Sequence, residues 1–212
     1  MKERPIIFSA PMVKAILAGA KTQTRRILKP NRWGTVTLIG QGTAIRLGAN
    51  GLEWTPAGAG PVEPWPPERV GEVCPYGGMG DQLWVKETWG GTAAIGSRLN
   101  ADGFLATVSY RADGERTVGG KPYRWRPSIY MPRWASRINL RIMNVWVERL
   151  HEITEEDAAN EGLEWDRWAY GPEVVEQTPR EAFMRLWDDL NGKRAAWKSN
   201  PWCWVVSFRR IS

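Results

Sequence analysis

The 212-residue sequence predicts a mainly β fold with a few helices (α+β), closed or nearly closed into a barrel. Three observations predict it. β-like segments stand at both ends, Arg4 to Phe8 and Trp202 to Arg209. Ile138 to Leu150 is the clearest strand region, long enough to span and bend around a barrel. Only three short helical patterns interrupt the strands. The two end strands are expected to pair with each other. No internal repeat and no linker divides the chain, so residues 1–212 form a single domain with insertions at about 31–79 and 90–125.

The elements follow in order. Ser9-Ala10-Pro11 opens a helix, with Ser9 or Ala10 at the cap and Pro11 in the first turn, where a missing N–H costs little. Met12, Ala15, Ile16 and Leu17 form its apolar stripe, and Gly19 is its stop. Thr22 to Leu28 is a strand that ends before Pro30. A hairpin follows, Thr35–Leu38 and Ala44–Leu47, and then a long irregular stretch rich in Gly, Pro and Trp up to residue 79. Gly80-Asp81 turns into a strand, Gln82 to Trp89. Residues 90–104 are a loop, and Leu105 to Arg111 a strand ending at the turn Ala112-Asp113-Gly114. Thr154, with Asp157 three residues on, caps a short helix that ends near Gly162. Thr178-Pro179-Arg180-Glu181 opens another. That helix carries Phe183, Leu186, Trp187 and Leu190 on one face and stops at Asn191-Gly192.

Composition narrows the function classes. The chain holds 14 Trp, and rings this large are rarely buried whole, so some should line a cleft where flat ligands stack. The net charge is +6 and the isoelectric point about 9.5, which favours an anionic partner such as nucleic acid. Cys74 and Cys203 lie far apart, which argues against a disulfide framework or a zinc site and for a reducing, cytoplasmic setting. His151 is the single histidine, which removes His-rich metal sites and weakens any Ser-His-Asp arrangement. No apolar run is long enough for a membrane span, and no secretory leader is legible. No metal and no cofactor are implied.

The stretch Gly19-Ala20-Lys21-Thr22-Gln23-Thr24-Arg25-Arg26 concentrates the chemistry. On a strand, Thr24 and Arg26 share one face, and Lys21 precedes the strand and can curl over the same pocket. A threonine hydroxyl needs a base to become a nucleophile, and a lysine can be that base when burial or neighbouring cations lower its pKa. A carboxylate would be needed to orient the lysine or to protonate a leaving group. On spacing alone, a solvated basic turn is the commoner outcome. Trp84, Trp89, Tyr110, Trp125, Tyr130 and Trp134 are candidate stacking walls. Arg124, Arg126, Arg133 and Arg137 are candidate phosphate contacts, a pattern that suits single-stranded RNA or a nucleotide. The acidic run Glu152, Glu155, Glu156, Asp157 is a helix start and not a metal site.

Gly19-x-Lys21-x-x-x-x-Arg26 resembles the GxKxxxxR motif of ASCH domains. An apolar helix ending in Ile16-Leu17-Ala18-Gly19 runs into it. Gly80-Asp81-Gln82-Leu83-Trp84-Val85 is similar to the Gly-Asp strand of these domains, and Leu150 to Ala158 to their strand-to-helix junction. The longer form, with Cys74-Pro75-Tyr76-Gly77, Lys86-Glu87-Thr88-Trp89 and Met131-Pro132-Arg133-Trp134, looks like ASCH proteins commonly encoded in prophages. The resemblance implies a PUA-like β-barrel with loop insertions and an association with RNA. It also implies an amidohydrolase that removes an acyl group from N4-acylated cytosine or cytidine, or else an RNA- or nucleotide-binding module or a metal-independent ribonuclease. Carried over by position, Lys21 is the base and Thr24 the nucleophile. The family's carboxylate is expected on the strand before the junction, where counting back from Thr154 lands on Arg141. Glu87 is therefore expected to lie within hydrogen-bond reach of Lys21, with Glu148 the lesser candidate. Arg26, Trp84, Trp89, Tyr130 and Arg133 are the expected substrate contacts, and the substrate a modified nucleoside or single-stranded RNA.

Overall fold

The structure is a computed structural model. It describes residues 1–29, 35–39, 43–48, 51–55, 63–66, 69–91, 108–118, 121–122, 124–163, 166–170 and 173–212. The fold is mixed α/β, organised on a five-stranded mixed sheet. Strand β1 (Glu3–Ile7) leads into helix α1 (Ala10–Leu17), and β2 (Gln23–Ile27) carries the basic motif. An antiparallel four-stranded sheet comes next, built from β3 (Thr35–Ile39), β4 (Thr43–Gly48), β5 (Gly51–Thr55) and β6 (Glu63–Pro64). After α2 (Val70–Val73) the chain returns to the main sheet as β7 (Gln82–Lys86). The small pairs β8 (Trp89–Gly91) with β9 (Val108–Tyr110), and β10 (Thr117–Val118) with β11 (Lys121–Pro122), precede the long β12 (Asn139–Arg149). Helix α3 (Glu155–Asn160), the hairpin β13 (Asp166–Tyr170) and β14 (Glu173–Gln177), helix α4 (Pro179–Ala195) and β15 (Trp202–Arg210) complete it.

The order of the main sheet is β1-β7-β12-β15-β2. β1 runs parallel to β7, and the other neighbours are antiparallel. This corrects the expected pairing of the two terminal strands: β15 lies between β12 and β2, and β1 lies at the opposite edge. The alternation of apolar residues decides it. Leu140, Ile142 and Val145 of β12 face the same core as Val206 and Phe208 of β15, so the two longest strands pair with each other over nine residue pairs. The sheet is open in its pairing, with β1 and β2 at its edges, yet Arg26 of β2 donates a hydrogen bond across to the Ile7 carbonyl of β1 at 2.7 Å.

Local signals account for most boundaries. Ser9 caps α1 and Pro11 sits in its first turn. Gly19, with φ +81°, turns the chain in a conformation that side chains with a Cβ disfavour. Thr154 caps α3 and Thr178 caps α4, each with a reciprocal capping box. α4 runs on to Ala195 rather than stopping at Asn191-Gly192. Packing of Phe183 and Trp187, both buried, holds the helix beyond a glycine whose intrinsic cost is only about 1 kcal/mol. The expected irregular stretch before residue 79 contains β5, β6 and α2. The expected loop at 90–104 lies mostly outside the described residues, as does the start of the strand at 105. No helix of the described residues is long and apolar enough to cross a membrane.

The main core gathers Ile6, Phe8, Val13, Leu83, Val85, Leu140 and Trp204 inside the curl of the sheet. A second cluster, Leu150, Ile153, Ala158, Phe183, Trp187 and Cys203, seats α3 and α4 on the other face of β15. Both cysteines are free and buried. Burial pushes the Cys74 thiol up to about 11 and the Cys203 thiol up to about 12. Iodoacetamide should therefore label neither cysteine in the native protein and both in guanidinium. Native-state labelling within minutes, read by mass spectrometry, would contradict this packing.

Candidate functional site

The site forms where β2 meets the end of α3. Leaving Gly19, the backbone makes a single antiparallel bridge between Lys21 and Glu161, and the Thr22 N–H donates to the Asn160 carbonyl at 2.8 Å. These bonds lay the motif against the last turn of α3. Gly162 makes the close approach possible. Its φ is +88°, and a Cβ there would stand 2.8 Å from the Ala15 Cβ and 3.0 Å from the Lys21 Cβ.

Lys21 is buried, at 2 % exposure. Its Nζ donates to Glu161 Oε2 at 2.6 Å and to the Glu161 carbonyl at 2.8 Å. It also stands 5.6 Å from the centre of the Phe8 ring, and Arg26 lies over the same ring at 5.1 Å. Burial is the main force on the ammonium and pushes its pKa down. The Glu161 carboxylate opposes this, while the Arg26 and Arg25 charges add to the fall. The amine is thus biased toward its neutral, proton-accepting form.

Arg25 is equally buried. Its Nε and Nη2 both donate to Glu148 Oε1, at 2.8 and 2.6 Å. Nη2 is also 3.3 Å from Asp157 Oδ2, and Nη1 is 3.5 Å from Glu161 Oε1. Gln23 donates to Asp157 Oδ1 at 3.1 Å, and Trp146 to Glu148 Oε2 at 2.7 Å. Two cations of the motif, Lys21 and Arg25, therefore meet three carboxylates, Glu148, Asp157 and Glu161, which offsets the cost of burying charge. Asp157 has two tasks: it closes the capping box of α3 and it holds Gln23 and Arg25. Those bonds keep its carboxyl below the usual range, although burial, the largest influence, works the other way.

A cavity of about 250 Å³ opens on this network, with Thr24, Arg25, Arg26 and Glu161 in its walls. Phe183, Leu186, Trp187 and Leu190 of α4 form its apolar side. Thr24 is 3 % exposed. Thr24 and Glu161 thus face one small space, and Lys21 holds Glu161 from behind.

The carboxylate on Lys21 is Glu161, which corrects the expectation for Glu87. Glu87 follows β7 and continues its inward-facing side, and it is 1 % exposed. It accepts from Arg137 Nε at 2.9 Å and Nη2 at 3.1 Å, and Arg137 also donates to Asp113. Burial raises the Glu87 carboxyl, and Arg137 partly offsets this. Glu148 reaches Arg25, not Lys21, and Arg141 sits on β12 opposite Arg209 and Gln82. The signal that finds Glu161 is its place at the C-cap of α3, about two turns beyond the Thr154 cap and next to Gly162. A glycine at a helix end marks where the chain turns tightly enough to touch a neighbouring strand.

The other expected contacts divide. Arg26 lines the cavity. Trp84, Trp89, Tyr130 and Arg133 are not among its walls. Trp89 is buried with Met131 and Ala135. Arg133 pairs with Glu3 and lies over Trp84 at 5.8 Å. Tyr130 is 73 % and Trp134 56 % exposed; Lys86 donates to the carbonyl of Ile129, the residue before Tyr130, and Trp134 lies edge-on to Trp89. His151 bonds the Trp197 carbonyl and lies against its ring. Phe183 and Trp187 are the cavity aromatics that sequence reasoning assigned only to a helix face.

Comparison with protein-family models, with curated proteins and with solved structures gives no match in any of the three.

Gly162→Ala should lower stability by about 2 kcal/mol, because it combines left-handed strain with two close contacts. It should also loosen Lys21 from Glu161. A thermal melt within 1 °C of wild type would show that the two segments do not meet this closely.

Proposed function

We propose that the chain is an amidohydrolase that removes an acyl group from N4-acylated cytosine or cytidine, with Lys21 as base, Thr24 as nucleophile and Glu161 as the carboxylate. The observation that carries this reading is the buried Lys21–Glu161 contact, whose carboxylate shares the wall of a small cavity with Thr24. Neutral Lys21 takes the proton of the Thr24 hydroxyl as Oγ attacks the acyl carbon. That proton has Glu161 Oε2 as its next acceptor, 2.6 Å away. When the carbon–nitrogen bond breaks, its electron pair stays on the exocyclic nitrogen. Glu161 returns the proton there, releasing cytosine and leaving the acyl group as an ester on Thr24. Water, deprotonated by the same base, then frees the carboxylic acid and restores the hydroxyl. The cavity is small against the ~300–1,000 Å³ usual for drug-sized ligands, which suits one base and a short acyl group. The reading takes the curled sheet as a PUA-like barrel of the ASCH kind. It is supported by the reach of Arg26 from one edge strand to the other.

Incubation with N4-acetylcytidine, followed by the ultraviolet change to cytidine, tests the reaction. Thr24→Ala and Lys21→Ala should each lower kcat by at least ~100-fold, the usual worth of a nucleophile or general base. Because the Lys21 pKa lies below the ordinary lysine value, the neutral base becomes available earlier as pH climbs. The rate should rise with pH along a limb centred below that value. Absence of turnover, or turnover untouched by Thr24→Ala, would sink the reading.

A second reading, an RNA-binding surface, is favoured by the exposed Ile129, Tyr130 and Trp134, with Lys86 bonded to the Ile129 carbonyl. Bases stack on such rings while cations meet phosphates. Affinity for a fluorescent single-stranded RNA should then fall steeply between 50 and 200 mM salt, roughly tenfold or more, and Tyr130→Ala should weaken it. Salt-independent binding would remove this reading.

A further inference from the structure

Among the described residues, three buried polar atoms on side chains that line the cavity have no hydrogen-bond partner in the protein, Arg25 Nη1, Arg26 Nε and Glu161 Oε1, and the first and last of them form a pair. These two face each other at 3.5 Å, an ion pair without a hydrogen bond. The remaining reach of both side chains is already used. Arg25 Nε and Nη2 are held by Glu148, and Glu161 Oε2 by Lys21. Both residues line the cavity, and the Arg25 side chain is itself fully buried. Leaving such groups unsatisfied is costly. The pair therefore offers a ligand one N–H donor and one carboxylate acceptor, side by side.

A ligand that satisfies both must present an acceptor next to a donor. The N3/N4–H edge of an aminopyrimidine does so: ring N3 accepts and the exocyclic N4–H donates. A uracil edge is reversed, with N3–H beside the O4 acceptor, and would set donor against donor and acceptor against acceptor. We propose that Arg25 reads ring N3 of the cytosine through Nη1 while Glu161 Oε1 takes the N4–H, which makes Arg25 the residue that selects cytosine and steadies it as a leaving group. The second role rests on the amidohydrolase reading. When the acyl carbon–N4 bond breaks, the electron pair left on N4 delocalises onto N3, where the guanidinium N–H already points. Glu161 then protonates N4. The recognition role needs only the cavity and the unsatisfied Arg25–Glu161 pair in its wall.

Replacement of N3 by carbon removes the acceptor and little else, so the test needs no variant to begin. Calorimetry with wild-type protein should show cytidine binding about 10- to 100-fold more tightly than 3-deazacytidine or uridine, the worth of one hydrogen bond to a charged group. N4-acetylcytidine should be hydrolysed faster than its 3-deaza analogue by at least the same factor. Arg25→Met and Arg25→Lys, checked for folding by circular dichroism, should bring the two ligands within about threefold of each other, because the contact is gone in both. A merely structural arginine would weaken both ligands equally and keep their ratio. Equal binding of cytidine and 3-deazacytidine by the wild type, or full discrimination retained in a folded Arg25→Met, overturns the proposal. Wild-type protein that discriminates in binding but hydrolyses nothing keeps the recognition role and removes the amidohydrolase reading.

Discussion

The double hold of Lys21 on Glu161, through both its carboxylate and its carbonyl, is the contact on which the rest of the site depends. It joins the turn after α1 to the end of α3, two segments 140 residues apart in sequence. A lysine buried alone would shed its proton and destabilise the fold. One buried beside a carboxylate is held in place, while burial and the two arginines keep its pKa low. The contact also sets the position of Glu161 and hence the spacing to Arg25. With Arg25 pinned by Glu148 and Asp157, the cavity wall is assembled from groups with little freedom to move. Such preorganisation lets charged groups act without reorganising during a reaction.

The acidic residues that look alike in sequence separate into two clusters. Glu161, Glu148 and Asp157 gather on Lys21 and Arg25. Glu87 and Asp113 gather on Arg137, which also lies 3.9 Å from the centre of the Tyr110 ring. In each cluster every carboxylate has a cationic partner, and removing one partner of a buried pair costs about 3–5 kcal/mol. The second cluster ties the end of β7 to the segment after β9 and to the approach to β12. It is a brace for the loop-rich face, at a distance in function from the cavity.

Local structure was legible wherever the signal was local. Thr154 with Asp157 and Thr178 with Glu181 mark two helix starts through backbone N–H groups that nearby side chains reach, and Pro11 after Ser9 marks a third by filling a first-turn position that needs no N–H. The strands at 82–86, 139–149 and 202–210 follow from alternating apolar residues, and the hairpin at 35–48 from its turn residues. The end of α4 was not legible, because packing of Phe183 and Trp187 outweighs the modest cost of Gly192. The hairpin at 166–177 carried no pattern strong enough to announce it.

The sequence by itself determined that Lys21, Thr24 and Arg26 stand at a helix-to-strand turn, since Gly19 ends the helix and alternation orients the strand. It also determined that a carboxylate would be needed there. Only the tertiary structure decided which one. A side chain's partner depends on which backbone passes within about 3 Å, and that was set by the bridge between Lys21 and Glu161 and by the absence of a Cβ at Gly162. Residue spacing along the chain holds no record of such a crossing. Glu87 and Glu161 are equally available as sequence, and the fold gave one to Arg137 and the other to Lys21.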